Sequence, residues 1–454
     1  MNITIVGAGI AGLSAAFELQ QSGFEVMLLE GSERLGGKIL TSEIEGFNID
    51  AGPDSFLTRD PEMHELCFSL GVGDELVPPT GKPAKVWVGG EMHNLPKRHF
   101  LGVPLDLDEL DELSLLTEEG AQRAKLDLTL PDNKPKEGET VGSLIRRRLG
   151  DEVMDRLVGP LLGGINAGDA DDLCLESGVP QLFSASQGDF SLVRSIQDFL
   201  KNQNRDPANP VFLTHPDGLQ TVVKRLEEEI DSDIRRNEKV TSVKKSNKSI
   251  LVKGSQEYQT DAVILCIPAF AAAKLLQDSC PNTSNLLAKI QYASMAFITF
   301  AFNKSDVPQF NGSGFLVGRD ENLLTTACSW TSEKWAHLKN DDTVFLRLSV
   351  GRFGDTEALA MEDDTLIEKL NGELTTLTGI NADPIATRVT RWPNSFPQYE
   401  LGHGDRINVI RQQATLEMPG MFLAGSPFKG IGLSACIRDG IDQARKAKNF
   451  LMQR

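Results

Sequence analysis

The 454-residue chain has few of the patterns that bind metals or form disulfides. Its six cysteines, at positions 67, 174, 266, 280, 328 and 436, include no C-x-x-C, and its six histidines include no H-x-x-x-H pair. Scattered thiols suit a reducing compartment and argue against a disulfide framework; neither set has metal-site spacing, so no metal is expected. Basic charge is in deficit: 46 Lys and Arg face 64 Asp and Glu, a formal charge of −18. Such a surface repels nucleic acid and anionic lipid, so neither is an expected partner. A local basic run, Arg146-Arg147-Arg148, reads as a solvated helix face. The longest apolar segment, 262–273, is broken by Pro268 and is too short to cross a bilayer. No charged-then-apolar leader precedes the first apolar run, so no signal peptide is expected and the protein reads as cytoplasmic. At 49.6 kDa the chain is too large for one core, and two or three domains are expected.

What is present begins at once. Residues 3–6 are an apolar, β-branched run suited to a buried parallel strand, followed by Gly7, Gly9 and Gly12 in G-x-G-x-x-G spacing. After Ile10 and Ala11, which join the cofactor-binding turn, the pattern is helical from Leu13 to Gln21, and a second apolar run, 26–29, ends at Glu30. Gly7 permits the tight turn, Gly9 lets backbone approach a pyrophosphate, and Gly12 permits close helix–strand packing. The helix N-terminus offers N–H groups to phosphates, and Glu30 is placed to accept hydrogen bonds from ribose hydroxyls. That carboxylate disfavours a 2′-phosphate, and so NADP, but it leaves NAD and FAD open. Arg34, Gly36, Gly37 and Lys38 extend the motif past the acid. In this position they resemble the two-part fingerprint of the glutathione-reductase-like flavoproteins, which implies FAD. On the same resemblance Gly52, Pro53, Asp54 and Ser55 lie near the isoalloxazine, and Val240 packs on the adenine. Near the C-terminus Gly425 and Ser426, then Gly432 and Leu433, form another glycine turn opening a helix, aimed at the pyrophosphate or ribityl end.

Further motifs are more specific. GPDSFL (52–57), KVWVGG (85–90), LLGGINAG (161–168), ACSW (327–330), TRW (390–392), QY (398–399) and AGSPFKGIG (424–432) together resemble the protoporphyrinogen/coproporphyrinogen oxidase family, essentially end to end. TTACSW (325–330), VGR (350–352) and TRW are similar to the soluble coproporphyrinogen III oxidases of Gram-positive bacteria. Two departures stand out: Ser434-Ala435-Cys436 occupies the place where the family often has Pro-Asp-Cys, and the acidic stretch 106–139, which reads as exposed or partly mobile, is less apolar than a membrane-docking domain.

The resemblance implies an α/β fold. An interleaved Rossmann-type FAD-binding domain (1–60, 207–268 and 404–454) joins a substrate domain with an antiparallel sheet (61–90 and 269–403) and a helical, membrane-domain-like block (91–206). It implies six-electron oxidation of coproporphyrinogen III by FAD and O2 in haem biosynthesis, giving hydrogen peroxide, with a hydride leaving a methylene bridge of the macrocycle. Transient contact with a haem-pathway chelatase and at most weak membrane association go with it. Trp392 joins the cofactor contacts. Four propionates need cations, and Lys85 and Arg59 are the candidates, with a surface charge as the alternative for each. Phe315 packs either on the ring or in the core. No Ser-His-Asp, carboxylate-dyad or metal constellation is required, since the chemistry is the flavin's. Protoporphyrinogen IX oxidation, a flavin amine oxidase or carotenoid desaturase, and a non-catalytic FAD-dependent scaffold are the alternatives.

Overall fold

A computed structural model of the chain describes residues 1–131, 134–188, 190–203, 209–247 and 249–454. The boundary expected at 206/207 lies outside the described residues.

Five strands form a parallel sheet in the order Asp233–Arg235, Glu25–Leu29, Asn2–Val6, Ala262–Leu265, Met421–Leu423. Asn2–Val6 lies at its centre with Ile3 and Ile5 fully buried, as expected of an apolar strand covered on both faces. The helix Ile10–Gln21 packs on one face, beside the C-terminal helix Leu433–Met452. These two helices meet at backbone contact: a Cβ on Gly440 would stand 2.2 Å from the Ala11 carbonyl oxygen. The sheet is thus assembled from three widely separated parts of the sequence. The three antiparallel strands near residue 250 are Ser242–Ser246, Ser249–Lys253 and Glu257–Thr260. Val240 sits in the connection just before the first of these strands.

The sheet expected to be antiparallel is larger and mixed. It has seven strands in the order Ala386–Pro397, Tyr292–Asn303, Thr343–Val350, Thr325–Ser329, Gly314–Val317, Ala84–Val88, Glu91–Asn94. Gly314–Val317 runs parallel to Ala84–Val88, and the other pairs are antiparallel. The parallel pair arises because Ala84–Val88 comes from an early segment rather than a neighbouring hairpin. One face is covered by the helix Asp363–Thr378, through Leu366, Leu370 and Leu374.

In the helical block most described acids of the acidic stretch are exposed, Asp106, Asp111, Glu118 and Glu137 among them, but two are buried, and the arginine run is more than a solvated face. Outside residues 132 and 133, which are not described, 106–139 contains the helix Glu118–Lys125, and both Asp127 and Glu139 are buried. Arg148, 1% exposed, pairs with Asp127 at 2.7 Å, and Arg147 pairs with Glu139 at 3.0 Å. Asp127 also accepts from the N–H groups of Leu192 and Val193 and from the Ser191 hydroxyl, tying down the start of the helix Leu192–Asn202. Arg146 pairs with Asp151, Asp155 and Asp171. Of the three only Arg148 is buried, and a buried charge persists only when paired; Arg146 and Arg147 keep part of the solvated helix face, and a run of like residues does not reveal its partners. Among the described residues no helix is long and apolar enough to cross a membrane.

Candidate functional site

The first cleft forms where the central strand ends. At Gly7 the backbone has φ +99°, and an added Cβ would stand 2.6 Å from the Cys266 carbonyl oxygen. At Gly12 it would stand 1.9 Å from the Gly7 oxygen, so only glycine lets the helix approach. Gly9 differs: a Cβ there meets only the Gly37 Cα, at 4.0 Å, and Gly9 bridges Gly36. Gly9 also begins the helix with no side-chain cap, leaving the first-turn N–H groups without intrahelical partners. Glu30 accepts from the Ala8 N–H at 2.8 Å, the Ser32 N–H at 2.9 Å and the Ser32 hydroxyl at 2.8 Å. Its own carbonyl accepts from the Glu238 N–H, which brings Val240 alongside. Arg34 spends its guanidinium on the carbonyls of Leu35, Gly37 and Ile39, fastening the loop on itself.

The C-terminal turn closes the same cleft. A Cβ on Gly425, at φ +115°, would lie 3.8 Å from that of Ala11. The Gly425 N–H donates to Asp439, which Arg411 pairs at 2.6 Å. Gly432 begins the 20-residue helix Leu433–Met452, again without a side-chain cap, and nothing lies within 4 Å of where its Cβ would be. Two helix starts lack side-chain caps, and because Gly440 is what touches Ala11, the start at Leu433 lies about two turns (~12 Å) along its helix from the start at Ile10. That spacing offers N–H donors to successive parts of one extended anionic ligand. The buried Ser14 hydroxyl, one turn into the first helix, has no partner among the described residues. The cleft fits a dinucleotide.

The turn at 50–55 links this cleft to the large sheet. A Cβ on Gly52 would stand 2.0 Å from the Lys38 carbonyl oxygen. Arg347 donates to the carbonyls of Asp50 and Gly52, at 2.8 and 3.0 Å, and Trp392 donates to that of Ala51. Ser55 and Asp54 bond to each other, and Asp54 pairs with Lys334 at 2.7 Å and Arg347 at 3.2 Å. Burial alone would raise the Asp54 pKa, but the two cations outweigh it and hold the group below the carboxylate range. Asp50, buried beside it, is pushed up to about 7 by burial, against hydrogen bonds from Thr41 and Leu219. Lys38 donates to the Ser395 carbonyl, and burial lowers its pKa.

A cavity of about 310 Å³ opens between the helix Gly159–Asn166 and the large sheet. Its walls include Gly164, Gly168, Asp169, Arg319, Thr326 and Arg352. Gln398 and Tyr399 join this wall to the C-terminal turn. Gln398 donates to the Asn166 carbonyl at 3.2 Å, and the Tyr399 hydroxyl accepts from the Gly430 N–H at 2.8 Å.

The candidate substrate residues do not gather here. Lys85 and Phe315 are cross-strand partners in the parallel pair, so their side chains leave the same face of the sheet. Phe315 is 2% exposed and meets Trp330 edge-on, with ring centroids 6.0 Å apart. It is a core residue. Leu316, on the opposite face, packs against the helical block, 3.0 Å from where a Gly164 Cβ would be. Neither Lys85 nor Phe315 is among the cavity's lining residues, although Val317, two residues beyond Phe315 on the same face, is one of them. Arg59 lies in the turn before the helix Pro61–Ser69, 3.9 Å from Asp60, and is not among the cavity's lining residues. The cations that do line the cavity are Arg146, Arg319 and Arg352. In the sequence Arg352 stands out only as the last residue of VGR (350–352), and Arg319 carries no signal.

Known proteins match this arrangement. The model of the family described as flavin containing amine oxidoreductase matches residues 10–447. The chain is 33% identical to the coproporphyrinogen III oxidase of Bacillus subtilis (strain 168), over 99% of this chain and 98% of that protein. It is 30% identical to the coproporphyrinogen III oxidase of Staphylococcus aureus, with 97% of each covered. A crystal structure from Exiguobacterium sp. 255-15, of a protein named after protoporphyrinogen oxidase, superposes with a TM-score of 0.89 at 30% identity, covering 100% of this chain and 99% of that one. The chain therefore belongs to the flavin-containing amine oxidoreductases and, within them, to the protoporphyrinogen/coproporphyrinogen oxidase family, with FAD as its cofactor.

Proposed function

We propose that this protein is the coproporphyrinogen III oxidase of a haem pathway, taking the tetracarboxylate porphyrinogen to coproporphyrin III with O2 as acceptor. The observation that carries the reading is its end-to-end likeness to two enzymes of that name at 30–33% identity. Bound FAD supplies two-electron oxidation renewed by O2, so the six-electron change takes three rounds and yields three hydrogen peroxide. On this reading the chain's part is to hold and orient. The helix start at Ile10, with Gly9 and Ala11, receives the pyrophosphate, and the start at Leu433, with Gly425, Ser426 and Gly432, receives the pyrophosphate or the ribityl end. Glu30 holds a ribose, and Val240 flanks the adenine. The loop 34–38 and the turn 52–55, pinned by Trp392 and Arg347, support the isoalloxazine, where Lys38 presents a cation.

The same reading assigns 1–60, 207–268 and 404–454 to the FAD-binding domain, 61–90 and 269–403 to the substrate domain, and 91–206 to a helical domain. It places the enzyme in the cytoplasm, consistent with six unpaired thiols, at most weakly associated with membrane and passing its product to a chelatase by transient contact.

The test is to incubate the FAD-loaded protein in air with coproporphyrinogen III or protoporphyrinogen IX, following porphyrin fluorescence and hydrogen peroxide. Faster turnover of the tetracarboxylate, with about three peroxides per porphyrin, is expected. Preference for the dicarboxylate would transfer the assignment to protoporphyrinogen oxidase.

A further inference from the structure

Of the three arginines lining the cavity, two are engaged. Arg146 is held by three aspartates, and Arg319 pairs with Asp169 at 3.2 Å. Arg352 is different. Among the described residues its side chain makes no ion pair and no hydrogen bond, and its Nε is buried without a partner. Its position is nonetheless fixed. Arg352 exchanges backbone hydrogen bonds with Asp355, follows Gly351 at φ +85°, and precedes Phe353, whose N–H donates to the Ala167 carbonyl at 2.7 Å. That last bond ties the hairpin to the loop that forms the opposite wall.

A guanidinium does not give up its proton, so an under-paired one at a cavity wall represents an unmet demand for an anion. Arg319 and Arg352 bring two positive charges to this corner. Asp169 is in ion-pair contact with Arg319, whereas Asp320 and Asp355 act on Arg352 only through the field, without contact. What Arg352 lacks is a contacting acceptor, and its planar fork suits two-pronged binding of a carboxylate.

We propose that Arg352, backed by Arg319, is a carboxylate-binding residue of the cavity and receives one propionate of the substrate. This rests on the coproporphyrinogen reading for the identity of the acid, though not for the anion preference itself.

The FAD-loaded enzyme would be compared as wild type, Arg352→Met and Arg352→Lys, with FAD content and thermal midpoint checked for each. Turnover would be measured with coproporphyrinogen III, and coproporphyrin III and its tetramethyl ester would serve as fluorescent binding probes. The Met variant should raise KM and the coproporphyrin III dissociation constant by at least about ten-fold. It should leave kcat and ester binding nearly unchanged, and Lys should restore part of the loss. Unaltered coproporphyrin III binding in a folded, FAD-loaded Arg352→Met overturns the proposal, as does equal weakening toward acid and ester. If the Met variant fails to fold, Arg352→Lys decides: it must discriminate less between acid and ester than wild type, or the proposal falls. If wild type oxidises no porphyrinogen, the proposed function fails, while Arg352-dependent binding of coproporphyrin III still supports the carboxylate site.

Discussion

The indole Nε1 of Trp392 donates a 2.7 Å hydrogen bond to the carbonyl oxygen of Ala51, joining the long edge strand of the seven-stranded sheet to the turn beside the nucleotide cleft. Ala51 is buried, so its carbonyl has no water to fall back on. Trp392→Phe keeps most of the ring and removes the donor. The variant should lose about 1–3 kcal/mol of stability and release FAD more readily, as read by thermal unfolding with and without added FAD. An unchanged midpoint in both would show that Arg347 alone holds the turn.

Glycines of the cleft divide into two kinds, and substitution separates them. Gly12→Ala puts a Cβ 1.9 Å from a backbone oxygen and should prevent correct folding of the helix–strand unit. Gly432→Ala meets nothing within 4 Å at φ −66°, so the apoprotein should stay within about 0.5 kcal/mol of wild type. Its FAD affinity should fall, because the new methyl occupies ligand space. Denaturant melts of apoprotein and FAD titration, run side by side, check both halves.

Glu30 carries two duties. It accepts from Ala8 and Ser32, and it is proposed to hold a ribose. Glu30→Ala should therefore weaken FAD binding by roughly 1–3 kcal/mol and also destabilise the apoprotein. A melt of the apoprotein apportions the two, and full FAD affinity in the variant would remove the ribose role.

Asp50 gives a pH signature of unusual sign. Its folded pKa of about 7 exceeds the ordinary 3.8, chiefly through burial. Between these values the folded state binds the proton and the unfolded state does not, so stability falls as pH rises. The contribution is fully present below the ordinary value and lost as pH passes 7. Asp50→Asn should flatten that part of the stability–pH curve, measured from pH 5 to 8 by urea midpoint. Asp54, held low by Lys334 and Arg347, acts in the opposite direction and only in acid.

The glycine turns and the strands around them were legible because each needs a special φ or a close approach that only one residue type permits. The acid at Glu30 followed from its place at a strand end. The large sheet was harder to read. An antiparallel sheet was expected, but the partner of Gly314–Val317 lies more than two hundred residues earlier, and no local pattern announces a parallel neighbour. Phe315 takes the core place that was one of its two readings, and Lys85 stands off the cavity wall, for a related reason: strand parity says which residues share a face, and only packing says which face meets the cavity. Arg148 and Arg352 show the same limit for charge. One is buried in a network and the other lacks an ion partner, yet both follow ordinary-looking neighbours in the chain.

The backbone contact between Gly440 and Ala11 carries a consequence for synthesis. The central strand Asn2–Val6 leaves the ribosome more than four hundred residues ahead of the edge strand Met421–Leu423 and the part of the last helix that crosses Ala11. At ordinary elongation rates that interval is roughly 20–80 s. Throughout it the apolar face of the first helix lacks its cover, and a growing chain is exposed to misassembly or chaperone capture. Flavin loading is therefore a late event, open to competition from aggregation, and riboflavin status during growth should affect the yield of folded protein as well as its colour.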